Sequence, residues 1–126
     1  MTGVQTCALP ISRRYARTNV VTARVDELQF HQPIKVGDLV TCAAKIVFAG
    51  KTSMEVSVDV QVEDLRSHIP PLTALSAFFT MVALDRNSKP ACVSPLEIIT
   101  DEEKSAFKAG KARYDLYKVK RQSENN

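Results

Sequence analysis

From Gly50 to Asp64 the chain reads GKTSMEVSVDVQVED, in which Met54, Val56, Val58, Val60 and Val62 alternate with Glu55, Ser57, Asp59, Gln61 and Glu63. Unbroken alternation of apolar and polar residues is the period of a long β-strand with one buried face. Such a strand cannot stand alone. Its backbone groups need partners on either side and its apolar face needs cover, so the flanking segments must supply further strands and a second layer.

Those segments fit the demand. Val21, Ala23 and Val25 alternate with Thr22, Arg24 and Asp26, which reads as a first strand from Thr18 to Phe30, broken by Pro33 and the Gly37-Asp38 pair. In LVTCAAKIVFAG, Val40, Cys42, Ala44, Ile46 and Phe48 share one side, with Leu39, Thr41, Ala43, Lys45 and Val47 on the other. Both sides are fairly apolar, which predicts a central strand. Ala49-Gly50-Lys51 is short enough for a hairpin turn into the organising strand. Arg66 to Pro71 is a loop, because consecutive prolines donate no ladder hydrogen bonds. Thr73 to Asp85 is expected as the fourth strand, although TALSAFF alone has the propensity for a helix.

Beyond Asp85-Arg86-Asn87-Ser88-Lys89-Pro90, a turn, the stretch Ala91 to Ile99 is expected to cross the surface in extended form. Thr100 followed by Glu103 makes a capping box, and Asp101 and Glu102 add negative charge at a helix N-terminus. The helix is expected over about residues 101–121, with Phe107, Tyr114 and Tyr117 near one stripe, Gly110 weakening its middle, and Gln122 to Asn126 disordered.

The opening residues differ in kind. VQTCALPIS, Val4 to Ser12, looks like the translation of a sequencing adapter, which predicts that residues 1–12 are not native and that Cys7 and its neighbours carry no structural information. The domain proper is then residues 13–90, with a C-terminal extension over 91–126.

Length and composition bound the function. At 126 residues and with 44% hydrophobic content, the chain is one domain at most. The net charge of +3 is mild, though basic residues gather at Arg13, Arg14 and Arg17 and again from Lys104 to Arg121. A solvated charged face is the expected reading, with no nucleic-acid partner. No apolar run is long enough to cross a bilayer, and the cysteines make neither a disulfide framework nor a metal pattern, which predicts a cytoplasmic protein without a metal or cofactor.

The familiar catalytic motifs are missing: no GxGxxG, P-loop, GxSxG or HExxH occurs. His31 and His68 fall in turn or loop contexts. Cys42 and Cys92 have no ligand partners near them in sequence and read as packing residues. Among Asp26, Glu27, Asp38, Asp59, Glu63 and Asp64 no pair is marked for catalysis, and alternation turns Asp59 and Glu63 towards solvent or a subunit contact.

The order of segments carries more information than any one of them. TARVDELQFHQPIKVGDLV, AGKTSMEVSVDVQVED, SAFFTMVALDRNSKPACVSPL and EEKSAFKAGKARYDLYKVKRQ together resemble acyl-CoA thioesterases of the hotdog fold, particularly the cytosolic long-chain acyl-CoA hydrolase group. The resemblance implies an α+β fold, an antiparallel sheet wrapped round a central helix, with active sites formed between paired subunits and a C-terminal amphipathic helix added here. It implies hydrolysis of acyl-CoA to free acid and CoA, by water activated by an acidic residue on the central helix. No acidic helix precedes Val20, so the central helix is expected to be largely missing, Arg13 to Arg17 to be its stub, and the catalytic residues to be absent. It further implies that Gly50, Lys51, Thr52, Ser53 and Met54 bind substrate along the CoA path, with Lys118, Lys120 and Arg121 as possible phosphate contacts. A non-enzymatic acyl-CoA-binding or protein-binding hotdog module is the alternative, and a hotdog hydratase or dehydratase ranks last, since neither histidine has the context it needs.

Overall fold

The computed structural model describes the backbone of residues 2–125 and the side chains of residues 7–120. Four strands, β1 (Asn19–Phe30), β2 (Leu39–Ala49), β3 (Ser53–Glu63) and β4 (Leu72–Leu84), lie between α1 (Thr2–Ala16) and α2 (Asp101–Asn125). All neighbours in the sheet are antiparallel, in the order β1-β4-β3-β2. The strand that organises the sequence, β3, sits inside the sheet with β4 on one side and β2 on the other.

The valines of β3 do what their spacing demands. Val56 and Val58 are fully buried beside Leu75, Ala77, Phe79 and Met81 of β4, forming one core cluster with Met54 and Val60. Complete burial of a side chain such as Phe79 stabilises the fold by roughly 1.5–3 kcal/mol.

Helix α1 covers this face, which corrects the expectation that the central helix is largely missing and that Cys7 and its neighbours carry no structural information. Ala8 and Ser12, four residues apart and thus on one face, are both completely buried. Their small side chains let the helix lie close to the valines, and Cys7, Ile11 and Tyr15 pack around them. The Ser12 hydroxyl donates to the Ala8 carbonyl at 2.8 Å, so its burial leaves no polar group unsatisfied. The helix ends where Arg17 takes a left-handed conformation, φ 58°, and donates its N–H to the Arg13 carbonyl at 2.8 Å. The Tyr15 hydroxyl then donates to the carbonyl of Ser94, tying α1 to the extended segment after β4.

Two strand expectations are also corrected. Strand β2 is an edge strand, because β3 is its sole neighbour among the described residues. Leu39, Thr41, Ala43 and Lys45, on one face of it, are exposed. In addition, the β2–β3 register slips between Ile46 and Phe48, so that Phe48 lies opposite Glu55 and leaves the side occupied by Ala44 and Ile46. One extra residue in a strand reverses the facing of everything after it.

The capping box forms as expected. The Glu103 N–H donates to the Thr100 hydroxyl at 3.1 Å, while the Thr100 N–H donates to the Glu103 carboxylate at 3.4 Å. A cap of this kind stabilises a helix by about 1 kcal/mol. The backbone of α2 continues to Asn125, correcting the expected end near residue 121 and the expected disorder from Gln122; Asn126 lies outside the described residues.

Candidate functional site

On the face away from α1, the sheet and α2 meet through aromatic and charged groups. Phe48, moved there by its bulge, packs against Phe107 with ring centroids 4.9 Å apart and against Tyr114 at 5.3 Å. These are tilted arrangements within the favourable range for aromatic pairs. Gly110 permits the approach: a Cβ there would stand 2.7 Å from the Phe48 Cβ and 3.3 Å from a Glu55 carboxylate oxygen.

Glu55 belongs to the polar set of β3 that alternation assigns to solvent. It is instead 4% exposed. Arg113 of α2 covers it, donating through Nε to both carboxylate oxygens at 2.9 and 3.1 Å, and its guanidinium also lies 3.7 Å over the Phe78 ring. Burial pushes the Glu55 carboxyl up from its ordinary value, against the opposing pull of Arg113. Burial works against the Arg113 charge too, but the hydrogen bond and charge of Glu55 outweigh it and hold the guanidinium above its usual value. The two directions agree with their exposures: the carboxylate is at 5% the more deeply desolvated partner, while the arginine side chain keeps 16%. On β1, the register slip after Thr22 brings Arg24 to this same side, where it pairs with Asp26 through Nε at 2.6 Å and lies 3.7 Å over the Tyr117 ring.

Between these groups lies a cavity of about 180 Å³, bordered by Phe48, Glu55, Thr80, Tyr114 and Tyr117, with Arg24 at its side. Its walls combine aromatic rings, aliphatic groups such as Met54 and Val82, hydroxyls, one carboxylate and one arginine. That combination suits an apolar or planar group carrying a few hydrogen-bonding atoms.

Three of the expected substrate-binding residues, Thr52, Ser53 and Met54, border this cavity. Met54 is also part of the core cluster under α1. Gly50 and Lys51 do not line it. Gly50 closes the hairpin, donating its N–H to the Ser53 carbonyl at 2.8 Å, and the Lys51 carbonyl accepts from the N–H of Val93 at 2.9 Å. Of the basic residues expected near phosphate, Lys118 lies 5.5 Å over the Tyr114 ring and Lys120 borders a second depression with Arg24 and Asp26. The side chain of Arg121 lies outside the described residues.

The other candidates find structural employment. His31 Nε2 is 3.1 Å from the Ser76 hydroxyl, while Asp38 and Asp64 accept backbone N–H bonds in their own turns. Cys42 lies beside Cys7 of α1, and burial followed by the Cys7 hydrogen bond pushes its thiol up to about 12. The shift disfavours the thiolate, the form in which a cysteine acts as a nucleophile. The residues that sequence reasoning missed are Glu55 and Arg113. Their one advance signal is that a helix stripe carrying Phe107, Tyr114 and Tyr117 needs a sheet face to lie on, and the polar set of β3 is the face left over.

Comparison with known proteins accords with this layering. The family model described as the thioesterase superfamily matches residues 1–68. The rat cytosolic acyl coenzyme A thioester hydrolase is 38% identical over 113 residues, 89% of this chain, and the chain spans about 30% of that protein's length. An acyl-CoA hydrolase from Staphylococcus aureus, solved in complex with butyryl coenzyme A, coenzyme A and coenzyme A disulfide, superimposes with a TM-score of 0.86. It is 30% identical, over 99% of this chain and 76% of that one. A hexameric thioesterase from Yersinia pestis superimposes with a TM-score of 0.70, also at 30% identity, over 76% of this chain and 77% of that one. With its helix laid over an antiparallel sheet, its β-strand order and its match over more than half its length, this chain belongs to the thioesterase superfamily.

Proposed function

We propose that the protein to which this chain belongs hydrolyses acyl-CoA thioesters to a free acid and CoA. The observation that carries the reading is the superposition of nearly the whole chain on a hydrolase whose structure holds CoA ligands. In this reading the CoA moiety runs along Gly50 to Met54, where backbone N–H groups and small hydroxyls meet its phosphates and its pantetheine. The protein works in the cytoplasm and associates with copies of itself, as the cytosolic name of the rat relative and the hexameric one from Yersinia pestis favour.

The catalytic acid is the point of departure. The resemblance puts it on the helix over the sheet, and α1, TGVQTCALPISRRYA, contains no aspartate or glutamate. Water at that face would lack the carboxylate that takes its proton as it attacks the thioester carbonyl. In this reading residues 2–12, an adapter-derived stretch, hold the helix's place without its carboxylate, and the chain as it stands is inactive.

Thiol release from acyl-CoA substrates tests this. The chain is expected to show no turnover above the uncatalysed rate, whereas the same gene carrying its native helix turns over. Rapid hydrolysis by the present chain would place the catalytic group elsewhere. A second reading, an acyl-CoA-binding module, predicts ester binding and no hydrolysis even with the native helix restored.

A further inference from the structure

We infer that Cys7 and Cys42 form a redox site, in which a peroxide converts the two thiols into a disulfide that staples α1 to β2. The site belongs to the chain as it stands and is independent of the proposed hydrolysis.

One face of α1 carries Cys7, Pro10, Ile11 and Arg14, whose spacing brings them to the same side of a helix. In β2, Cys42 and Ala44 are two positions apart and so share one side of the strand. The helix face and the strand side meet over one open depression, bordered by these six residues. Within it the two thiols are hydrogen-bond partners, one from each layer. Cys7 is half-buried; Cys42 is exposed as a residue, yet its sulfur is desolvated where it meets Cys7.

The third thiol, Cys92, lies on the segment after β4 and does not border this depression. Among the described residues no cluster of three His, Cys, Asp or Glu side chains could hold a metal ion. A closed metal site needs more ligands than two, so the chemistry left to the pair is oxidation.

A thiolate takes one oxygen atom from hydrogen peroxide, giving a sulfenic acid and releasing hydroxide, which collects the thiol proton as water. The second sulfur then attacks the oxidised one. An S–S bond forms, the S–O bond breaks, and the oxygen leaves with the second thiol proton as another water. Two electrons pass from the sulfurs to the peroxide. Desolvation disfavours the Cys42 thiolate, which makes Cys7 the sulfur that is oxidised and Cys42 the one that resolves it. Contact between the sulfurs offsets the scarcity of that second thiolate, because the attack is intramolecular.

In a reducing compartment the pair stays open, and oxidant closes it. The bridge ties the helix that covers the core to an outer strand of the sheet and encloses β1 in a covalent loop. Such a loop restricts the unfolded chain, so the oxidised protein resists urea better.

Intact mass and peptide mapping locate the bridge. The folded chain is treated with dilute hydrogen peroxide, then denatured and alkylated with iodoacetamide without reduction. The expected product has lost two hydrogens, joins the Cys7 peptide to the Cys42 peptide and carries label on Cys92 alone, while dithiothreitol restores labelling at all three cysteines. Its urea midpoint should rise above that of the reduced chain. Cys92→Ser should keep both the bridge and the rise, and Cys42→Ser, its fold checked by circular dichroism, should lose both. Label on Cys7 and Cys42 together, at a peroxide level that oxidises Cys92, overturns the inference. A bridge made through Cys92 or between two chains overturns it as well. A Cys7–Cys42 bridge that leaves the urea midpoint unmoved overturns the staple.

Discussion

The two faces of the sheet are stabilised by different means. Under α1 the core is dry and apolar: Phe79, Met54, Met81, Val56 and Val58 are its largest fully buried side chains, and its one buried hydroxyl, on Ser12, is bonded to its own helix. Under α2 the contact is made of the Glu55–Arg113 pair, guanidinium groups over the Phe78 and Tyr117 rings, and an aromatic group around Phe48, with space left between them. The first face is packed for stability, since burial there takes no charge out of water. The second exchanges some of that for geometry, because each charge taken from water must be matched by a partner in one position.

The contrast is broken most severely by truncating the apolar face. Phe79→Ala is expected to lower the unfolding free energy by about 3–5 kcal/mol in urea titration, with sheet and helices lost together. A loss under about 1 kcal/mol would mean that α1 collapses into the gap and that this core is loosely packed. On the other face, Gly110→Ala opposes two effects. Alanine favours a helix interior over glycine by about 0.8–1 kcal/mol. The new methyl, however, would stand 2.7 Å from the Phe48 Cβ, an atom fixed to the backbone of β2. Overpacking of this kind costs about 1–3 kcal/mol, so net destabilisation is expected, with hydrogen exchange rising in α2 before the sheet. A more stable Gly110→Ala protein would show that α2 rides further from the sheet.

This asymmetry also explains what the sequence made legible. The α1 face is written in β3 as Met54, Val56, Val58, Val60 and Val62, and strand number, hairpins and the Thr100 cap follow from equally local signals. The second face is written in residues whose meaning depends on a distant partner. Glu55 reads as solvent-facing until Arg113, 58 positions away, is laid upon it. Phe48 reads as a core partner of Ala44 until a bulge, which has no signature in LVTCAAKIVFAG, turns it over. The edge position of β2 was hidden for a related reason, since an edge with two apolar sides has the composition of a central strand. The adapter-like stretch misled in the opposite direction: Cys7, Ala8, Ile11, Ser12 and Tyr15 have the spacing and sizes that a sheet face accepts, whatever their origin. As for the candidate substrate path, the hairpin at Gly50 to Met54 was readable, whereas the cavity beside it depends on the seating of α2.

The smallest expected effect distinguishes burial from ion pairing on the α2 face. Glu55 is desolvated by the sheet and by α2, and this pushes its carboxyl up despite Arg113. A carboxyl raised in the folded state binds its proton more tightly there than in the unfolded chain, so protonation favours folding. The stability this contributes is present in full below the ordinary carboxylate value and is lost as pH rises through the raised one. Glu55→Gln cannot titrate and keeps a side-chain oxygen for the guanidinium. The advantage of the natural chain over Glu55→Gln should therefore shrink as pH rises, in urea titrations from about pH 4 to about pH 8, a range that begins near the ordinary value for glutamate. An advantage that grows with pH would mean that Arg113 holds the carboxyl below its usual range, and that the pair's attraction outweighs the desolvation that α2 imposes on it.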